Sequence, residues 1–215
     1  MMSDRIGQRR RGESKIASYF ARLGDLGPQI EASDAAGTPF EIDAAISRAV
    51  DMSLAVKSRK GRVIFVGNGG SAGIASHMTT DWLKNGGFSA LCFNDASQLT
   101  CLGNDLGMER IFSVPIEQHG REGDLLIAIS SSGKSANILA AVAAARAIKA
   151  GVITLSGFEP ANPLRERGDI NFWVPDGHYG FVEISHLAIC HAILDISMGW
   201  QRAGDRPVVT AGAYR

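Results

Sequence analysis

The chain has 215 residues, 45% of them hydrophobic, enough to bury the core of one substantial domain. Its 22 basic and 22 acidic side chains cancel, so no overall field draws it to nucleic acid or to a membrane, and neither is expected as a partner. No apolar stretch approaches the roughly 20 residues that cross a bilayer, and the N-terminus lacks the apolar centre of a secretory signal, so a cytoplasmic protein is expected.

Residues 1–12, with Arg9, Arg10 and Arg11 in a row, read as a solvated, disordered basic arm. Residues 13–201 read as a single domain, and 202–215 as a tail with little pattern. From Glu13 to about Leu23 the sequence can form a helix. Gly24, Gly27, Pro28, Gly37 and Pro39 then mark a loop with at most a turn of helix. Glu41 to Lys60 carries Ile42, Ala45, Ile46, Ala49, Met52, Ala55 and Val56 at helical spacing, which predicts a long amphipathic helix. Two helices ahead of the first strand need a surface to pack on, and a second subunit can supply it.

A strand beginning at Val63 is followed by a glycine turn and a helix, and the pattern then repeats. Phe88–Asn94, Leu125–Ser130, Val152–Leu155 and Ile170–Val174 are apolar enough for strands. Between them the helical stretches are Ala96–Gly103, Glu109–His119, the alanine-rich Ala136–Lys149 and a short piece from Pro160 to about Arg167. A long apolar helix from Phe181 to about Gln201 follows the last strand. Leu125–Ser130 is apolar throughout, as in a parallel strand buried on both faces. Five strands alternating with helices predict a three-layer α/β/α sandwich with a five-stranded parallel sheet and an N-terminal helical extension. Cys92, Cys101 and Cys190 lie among apolar neighbours without C-x-x-C spacing, so buried reduced thiols are expected.

Three motifs carry chemistry. Gly67-Asn68-Gly69-Gly70-Ser71 joins a strand to a helix, a geometry that aims backbone N–H groups and the helix dipole at an anion. Its Gly67-x-Gly69-x-x-Ala72 spacing also fits a loose dinucleotide fingerprint, with Asp95 placed for a ribose, against the plainer alternative of a tight turn without ligand. Ser130-Ser131-Ser132-Gly133-Lys134-Ser135 ends like a nucleotide P-loop, but Ala128 occupies the position of the first required glycine. Four hydroxyls at a helix mouth exceed what one helix cap needs and suit a phosphate. Finally, His77 and Asp81 share a helix face, and the last helix offers Glu183, His186 and His191. Facing each other, these side chains can exchange protons with a substrate or hold a divalent metal. Glu183 and His191 stand eight residues apart, about 12 Å of helix rise, so they converge only on a point between them.

GNGGS, then His77 and Asp81, then LGND (Leu102–Asp105), REGD (Arg121–Asp124) and SSSGKS, in that order, resemble the sugar isomerase (SIS) domain, and more closely the phosphoheptose isomerases that act on sedoheptulose 7-phosphate. The likeness runs from about Glu41 to Met198. It implies a flavodoxin-like or Rossmann-like sheet in a homotetramer with active sites between subunits. It implies that Asn68, Gly69, Gly70 and Ser71, with Asn104 and Asp105, line the sugar site, and that Ser130, Ser131, Ser132 and Ser135 hold the phosphate. The family's last helix reads Q-E-x-H-x-x-x-x-H. Matching both histidines places His186 and His191 on that pattern and Glu183 on the glutamine; matching Glu183 to the glutamate instead leaves Cys190 on the catalytic histidine and Val182 on the glutamine. The first register keeps both histidines.

Two positions depart from the pattern: Asp81 stands where the family has a glutamate, and Glu183 replaces a neutral amide. The implied reaction is interconversion of sedoheptulose 7-phosphate and D-glycero-D-manno-heptose 7-phosphate through an enediol, with Asp81 as base and His191 as acid/base partner. His77, Asp81, Glu183 and His191 form a donor set suited to zinc, and the two roles compete for the same side chains. Alternatives are a non-catalytic SIS protein resembling the DnaA-binding relative of these isomerases, and a nucleotide-dependent oxidoreductase resting on the glycine fingerprint alone.

Overall fold

A computed structural model describes residues 14–201; the basic arm and the C-terminal tail fall outside the described residues. Helix α1 (Lys15–Leu26) leads through a short 3-10 turn to strands β1 (Glu31–Ser33) and β2 (Pro39–Phe40), then to α2 (Ile42–Ser58). The alternating part follows as β3 (Arg62–Gly67), α3 (Gly70–Lys84), β4 (Ser89–Cys92), α4 (Ala96–Leu106), α5 (Ser113–His119), β5 (Leu125–Ser130), α6 (Ala136–Ala147), β6 (Gly151–Ser156), β7 (Ile170–Trp173) and α7 (Tyr179–Ser197). Short 3-10 turns precede α5, at Met108–Arg110, and β7, at Pro163–Glu166.

The sheet has seven strands in the order β2-β1-β7-β6-β5-β3-β4, two more than the sequence predicts. The five predicted strands pair in parallel. The additional two lie in the stretch read as loop: β1 pairs antiparallel with β7, and β2 with β1. They are three and two residues long, too short for an alternating pattern among the glycines and prolines to be visible.

The two-residue repeat of an extended strand places its side chains on alternate faces of the sheet. Val63, Phe65, Leu125, Ile127, Ile129, Ile153 and Leu155 meet α2, α3 and α7 on one face. Ile64, Val66, Leu126, Ala128 and Val152 meet α5 and α6 on the other. Every residue of β5 is buried, and each large side chain so enclosed contributes about 1.5–3 kcal/mol relative to exposure. The α2 stripe thus finds its surface within the domain, through Ala45, Ala49, Val50 and Val56. Helix α1 buries only Leu26 and leaves Ile16 and Phe20 exposed.

Helix α7, at 19 residues and mean hydropathy 1.3, is long and apolar enough to cross a membrane by length and composition, which amends the expectation that no stretch comes close. It buries Val182, Ile189, Cys190, Ile193 and Leu194 in the core beneath the sheet, as a central helix of a layered domain does.

Counting only the parallel strands, the order is second-first-third-fourth-fifth, the flavodoxin-like arrangement. Its topological switch lies between β3 and β5, and the crevice beyond the carboxyl ends of those two strands is where such sheets bind ligands.

Candidate active site

Both motif turns leave the sheet at this switch. After β5 the chain turns at Ser130–Gly133, with the Gly133 N–H donating to the Ser130 carbonyl at 2.9 Å and Gly133 at φ +63°. Ser135 occupies the N-cap of α6, yet its hydroxyl makes no capping bond; it pairs with the Ser130 hydroxyl at 3.2 Å. The start of α6 therefore keeps its backbone donors uncapped by a side chain, the arrangement that receives an anion. Ser131 Oγ is buried with no hydrogen-bond partner. A buried hydroxyl left unpaired is costly unless a ligand completes it. The adjacent Lys134 ammonium turns away to Glu159 at 2.6 Å, so hydroxyls and amides, not a fixed cation, define this seat.

After β3 the chain passes through Asn68 and Gly69, the latter at φ +55° as N-cap of α3, a conformation glycine adopts without the penalty of a side chain. Asn68 and Asn137 exchange reciprocal amide bonds of 2.9 Å, tying the two turns together across the switch. Each amide retains one N–H and one acceptor lone pair, so Asn68 can still touch a sugar. The N-terminus of α3 also lacks a side-chain capping bond, but here a carboxylate is present. A methyl group placed on Gly70 would lie 2.3 Å and 2.4 Å from the two carboxylate oxygens of Glu183, so Glu183 rests directly on the first residue of the helix, where negative charge is favoured.

Asn68, Gly69, Gly70, Ser71, Ser130, Ser131, Ser132, Ser135 and Glu183 line one cleft of about 250 Å³, joined by Ile129 and Tyr179. Nine predicted site residues thus share one cavity. Tyr179 and Asn137 were not anticipated; the one signal available was their position, at the first turn of α7 and of α6. The start of α7 is held by α1: Tyr19 stacks on Phe181 at 4.4 Å, and Arg22 donates to Asp176 at 2.8 Å. Burial pushes the Asp176 carboxyl up, but the His178 backbone N–H and Arg22 outweigh it and hold the group below its usual range.

Deeper along the same two helices, His77, Asp81 and His191 bring one donor atom each within 4.8 Å of one another. His77 Nε2 lies 3.4 Å from an Asp81 oxygen, and the two imidazole centroids are 5.5 Å apart. A tetrahedral zinc with bonds of about 2.0–2.2 Å separates its ligand atoms by about 3.4 Å, so this trio fits an ion after small rotamer changes. Gly70 faces Glu183 while His77 faces His191; the contacts advance seven and eight residues together, so α3 and α7 run parallel. That alignment places Glu183 about 10–12 Å up the helices from the histidine pair, and the four proposed ligands divide into a trio and a separate carboxylate.

Asn104 and Asp105 are exposed on α4, where the Asn104 amide donates to Asp105 at 2.8 Å; they lie outside the cleft lining. His186 is fully buried and donates from Nε2 to the Ser156 carbonyl at 3.0 Å, with burial lowering its pKa to about 4. Cys190 and Val182 are fully buried, and burial pushes the Cys190 thiol up to about 12. Both face the core while Glu183 and His191 face α3. All three cysteines are free, but only Cys190 is buried; Cys92 is half-buried and Cys101 exposed.

Residues 39–157 match the model of the SIS domain family. The phosphoheptose isomerase of Escherichia coli K12 is 37% identical over 160 residues, covering 71% of this chain and 82% of that protein. The solved phosphoheptose isomerase of Neisseria gonorrhoeae superposes with a TM-score of 0.74 at 29% identity, over 85% of this chain and 96% of that one. That of Francisella tularensis gives 0.74 at 30% identity, over 86% and 96%.

Proposed function

The chain belongs to the SIS-domain family, among the phosphoheptose isomerases, and we propose that it is a cytoplasmic aldose–ketose isomerase converting sedoheptulose 7-phosphate to D-glycero-D-manno-heptose 7-phosphate. The observation that carries this reading is the pairing of an uncapped helix N-terminus at the serine turn of the cleft with an imidazole–carboxylate cluster farther along α3 and α7, two parallel helices that both begin at that cleft. In this reading Ser130, Ser131, Ser132 and Ser135 bind the phosphate, and Asn68, Gly69, Gly70 and Ser71 approach the sugar.

The reaction removes a proton from carbon 1 of the ketose and returns one to carbon 2, through an enediol. Asp81 takes and returns the carbon-bound proton, and His191 moves the proton between the two oxygens. His77, Asp81 and His191 would hold a divalent ion, zinc by the chemistry of the donors, in competition with the proton-transfer roles of Asp81 and His191. When bound, such an ion supplies Lewis-acid polarisation of the carbonyl. Glu183, apart from the trio, is assigned to the substrate. Asn104 and Asp105, outside the cleft of one protomer, are assigned to the sugar through assembly. We assign a homotetramer with active sites between subunits, supported by the exposed apolar Ile16, Phe20 and Ile184 and by a His77 side chain 53% exposed. The non-catalytic, partner-binding alternative is not favoured, because the acid/base set is retained.

A panel of ketose and aldose phosphates incubated with the purified protein and followed by NMR tests the reading. Turnover of sedoheptulose 7-phosphate is expected. Turnover of another sugar phosphate in its place would overturn the heptose assignment, and turnover of none would overturn the isomerase. Elemental analysis is expected to find zinc or a similar ion in the protein as isolated, and no ion together with indifference to chelator would overturn the metal assignment.

A further inference from the structure

Helix α7 supplies one wall of the cleft through Tyr179 and Glu183, which stand about one turn apart on the same helix face. Core burial does not fix the start of that wall. Gly177, His178, Tyr179 and Gly180 are all exposed, the N-cap residue His178 makes no side-chain capping bond, and burial in α7 begins only at Val182. The anchor is polar instead. The buried Asp176 carboxylate, two residues before the N-cap, accepts on Oδ2 from Arg22 Nε at 3.2 Å and Nη2 at 2.8 Å, and on Oδ1 from the His178 backbone N–H at 2.8 Å and ring Nδ1 at 2.9 Å. An ionised carboxylate only accepts, so the His178 ring carries its proton on Nδ1. The Asp176 carbonyl accepts from the Phe158 N–H at 3.0 Å, and the neighbouring Gly157 N–H donates to the Ser131 carbonyl at 2.9 Å. Phe158 is held at φ +56° with its ring edge-on to Tyr179 at 4.9 Å; a non-glycine residue keeps that conformation only where its surroundings over-determine it. Asp176 thus joins α1, the first turn of α7 and the exit of β6, which is itself bonded to the serine turn.

We propose that Asp176 and Arg22 are positioning residues for substrate binding, which together set the Tyr179 and Glu183 wall of α7 at its distance from the serine turn. This rests on the sugar-phosphate reading of the cleft. Neither Asp176 nor Arg22 lines the cavity, so each acts through the wall that it holds. His191 lies about 18 Å farther along α7 than Tyr179, beyond Val182, Ile189 and Cys190, which seat that part of the helix in the core. A shift of the first turn therefore changes how tightly a sugar phosphate is held and leaves the proton-transfer groups in place, so its effect falls on KM and not on kcat. The ion pair is charge-assisted and its carboxylate is buried, so removing either side chain undoes the same anchor.

The test pairs steady-state kinetics of the full chain on sedoheptulose 7-phosphate with amide hydrogen exchange, which needs no substrate. Arg22→Met and Asp176→Ala are each expected to raise KM about tenfold with kcat within about twofold of wild type, and the double variant to do no worse than the poorer single one, because the pair acts as a unit. Arg22→Lys, which returns a cation, is expected to bring KM back to within about threefold of wild type. A purely structural role would instead lower the active fraction, and with it kcat, at unchanged KM, and that result would overturn the proposal. Exchange at the His178 and Val182 amides, bonded to Asp176 Oδ1 and to the His178 carbonyl, is expected to quicken at least about threefold in both variants; exchange at the wild-type rate would also overturn it. Circular dichroism and size-exclusion chromatography check fold and assembly. Arg22 is half-exposed on a helix that buries only Leu26, so Arg22→Met decides the matter should Asp176→Ala not fold. Absence of turnover in the wild-type protein would overturn the isomerase reading by itself, and the exchange measurement would still decide the anchoring.

Discussion

Gly133→Ala perturbs the serine turn at the point where it is least tolerant. Gly133 has φ +63°, and a methyl group there would lie 1.9 Å from Oδ1 of Asn162. An L-residue held in the left-handed region costs about 1–2 kcal/mol. Asn162 cannot step aside cheaply: it is 1% exposed, and its amide donates to Ser156 Oγ at 3.2 Å, to the Gly157 carbonyl at 3.3 Å and to the Glu159 carbonyl at 2.9 Å. Loosening two or three such bonds adds about 1 kcal/mol each. Reduced freedom of the unfolded chain returns about 0.4–1 kcal/mol, leaving a net loss of about 3 kcal/mol. With a urea slope of about 2–3 kcal/mol/M, the midpoint should fall by about 1 M, measured by circular dichroism at one protein concentration. Affinity for the sugar phosphate should fall by about tenfold or more, since the displaced turn is the proposed phosphate seat. A midpoint within about 0.2 M of wild type, with phosphate affinity unchanged, would refute the assignment of this turn as a rigid, glycine-dependent cradle.

Asp81→Asn and His191→Ala are each expected to abolish isomerase activity while leaving the urea midpoint within about 0.3 M of wild type; full activity in either folded variant would remove that residue from the mechanism. Acid should destabilise the fold through His186. Its pKa drops from 6.5 unfolded to about 4 folded, so the folded state resists protonation. The stabilisation is complete above pH 6.5 and is lost as pH falls toward 4, by about 1.4 kcal/mol per pH unit and about 3 kcal/mol in all. His186→Gln should flatten that part of the stability–pH curve, and a slope identical to wild type between pH 6.5 and 4 would exclude His186 as its source.

The parallel layers were legible because β3, β5 and β6 are apolar runs bounded by turns, and β5 matches its predicted bounds at both ends. β1 and β2 were not: Glu31–Ser33 acquires strand geometry by pairing with β2 and with β7, and the contact with β7 is long-range and leaves no periodic trace in three residues. The serine turn stood out as part of the cleft through its composition, whereas the Asn68–Asn137 clamp did not, since an asparagine pair 69 residues apart in sequence has no local signature. The proposed metal-ligand set shows the same limit. Helical spacing put His77 with Asp81, but the parallel alignment of α3 and α7 decides which residues meet across the interface. That alignment brings His191 to the pair and carries Glu183 to Gly70 instead. Asn104 and Asp105 entered through resemblance alone, and within one protomer their helix keeps them in solvent.

The most direct measurement is incubation of the wild-type protein with sedoheptulose 7-phosphate in D2O, followed by NMR. The structure predicts an aldose 7-phosphate, with solvent deuterium at carbon 2 to the extent that the proton held on the Asp81 carboxyl exchanges with solvent before it is returned to the enediol. No aldose product, with or without added zinc, would contradict it.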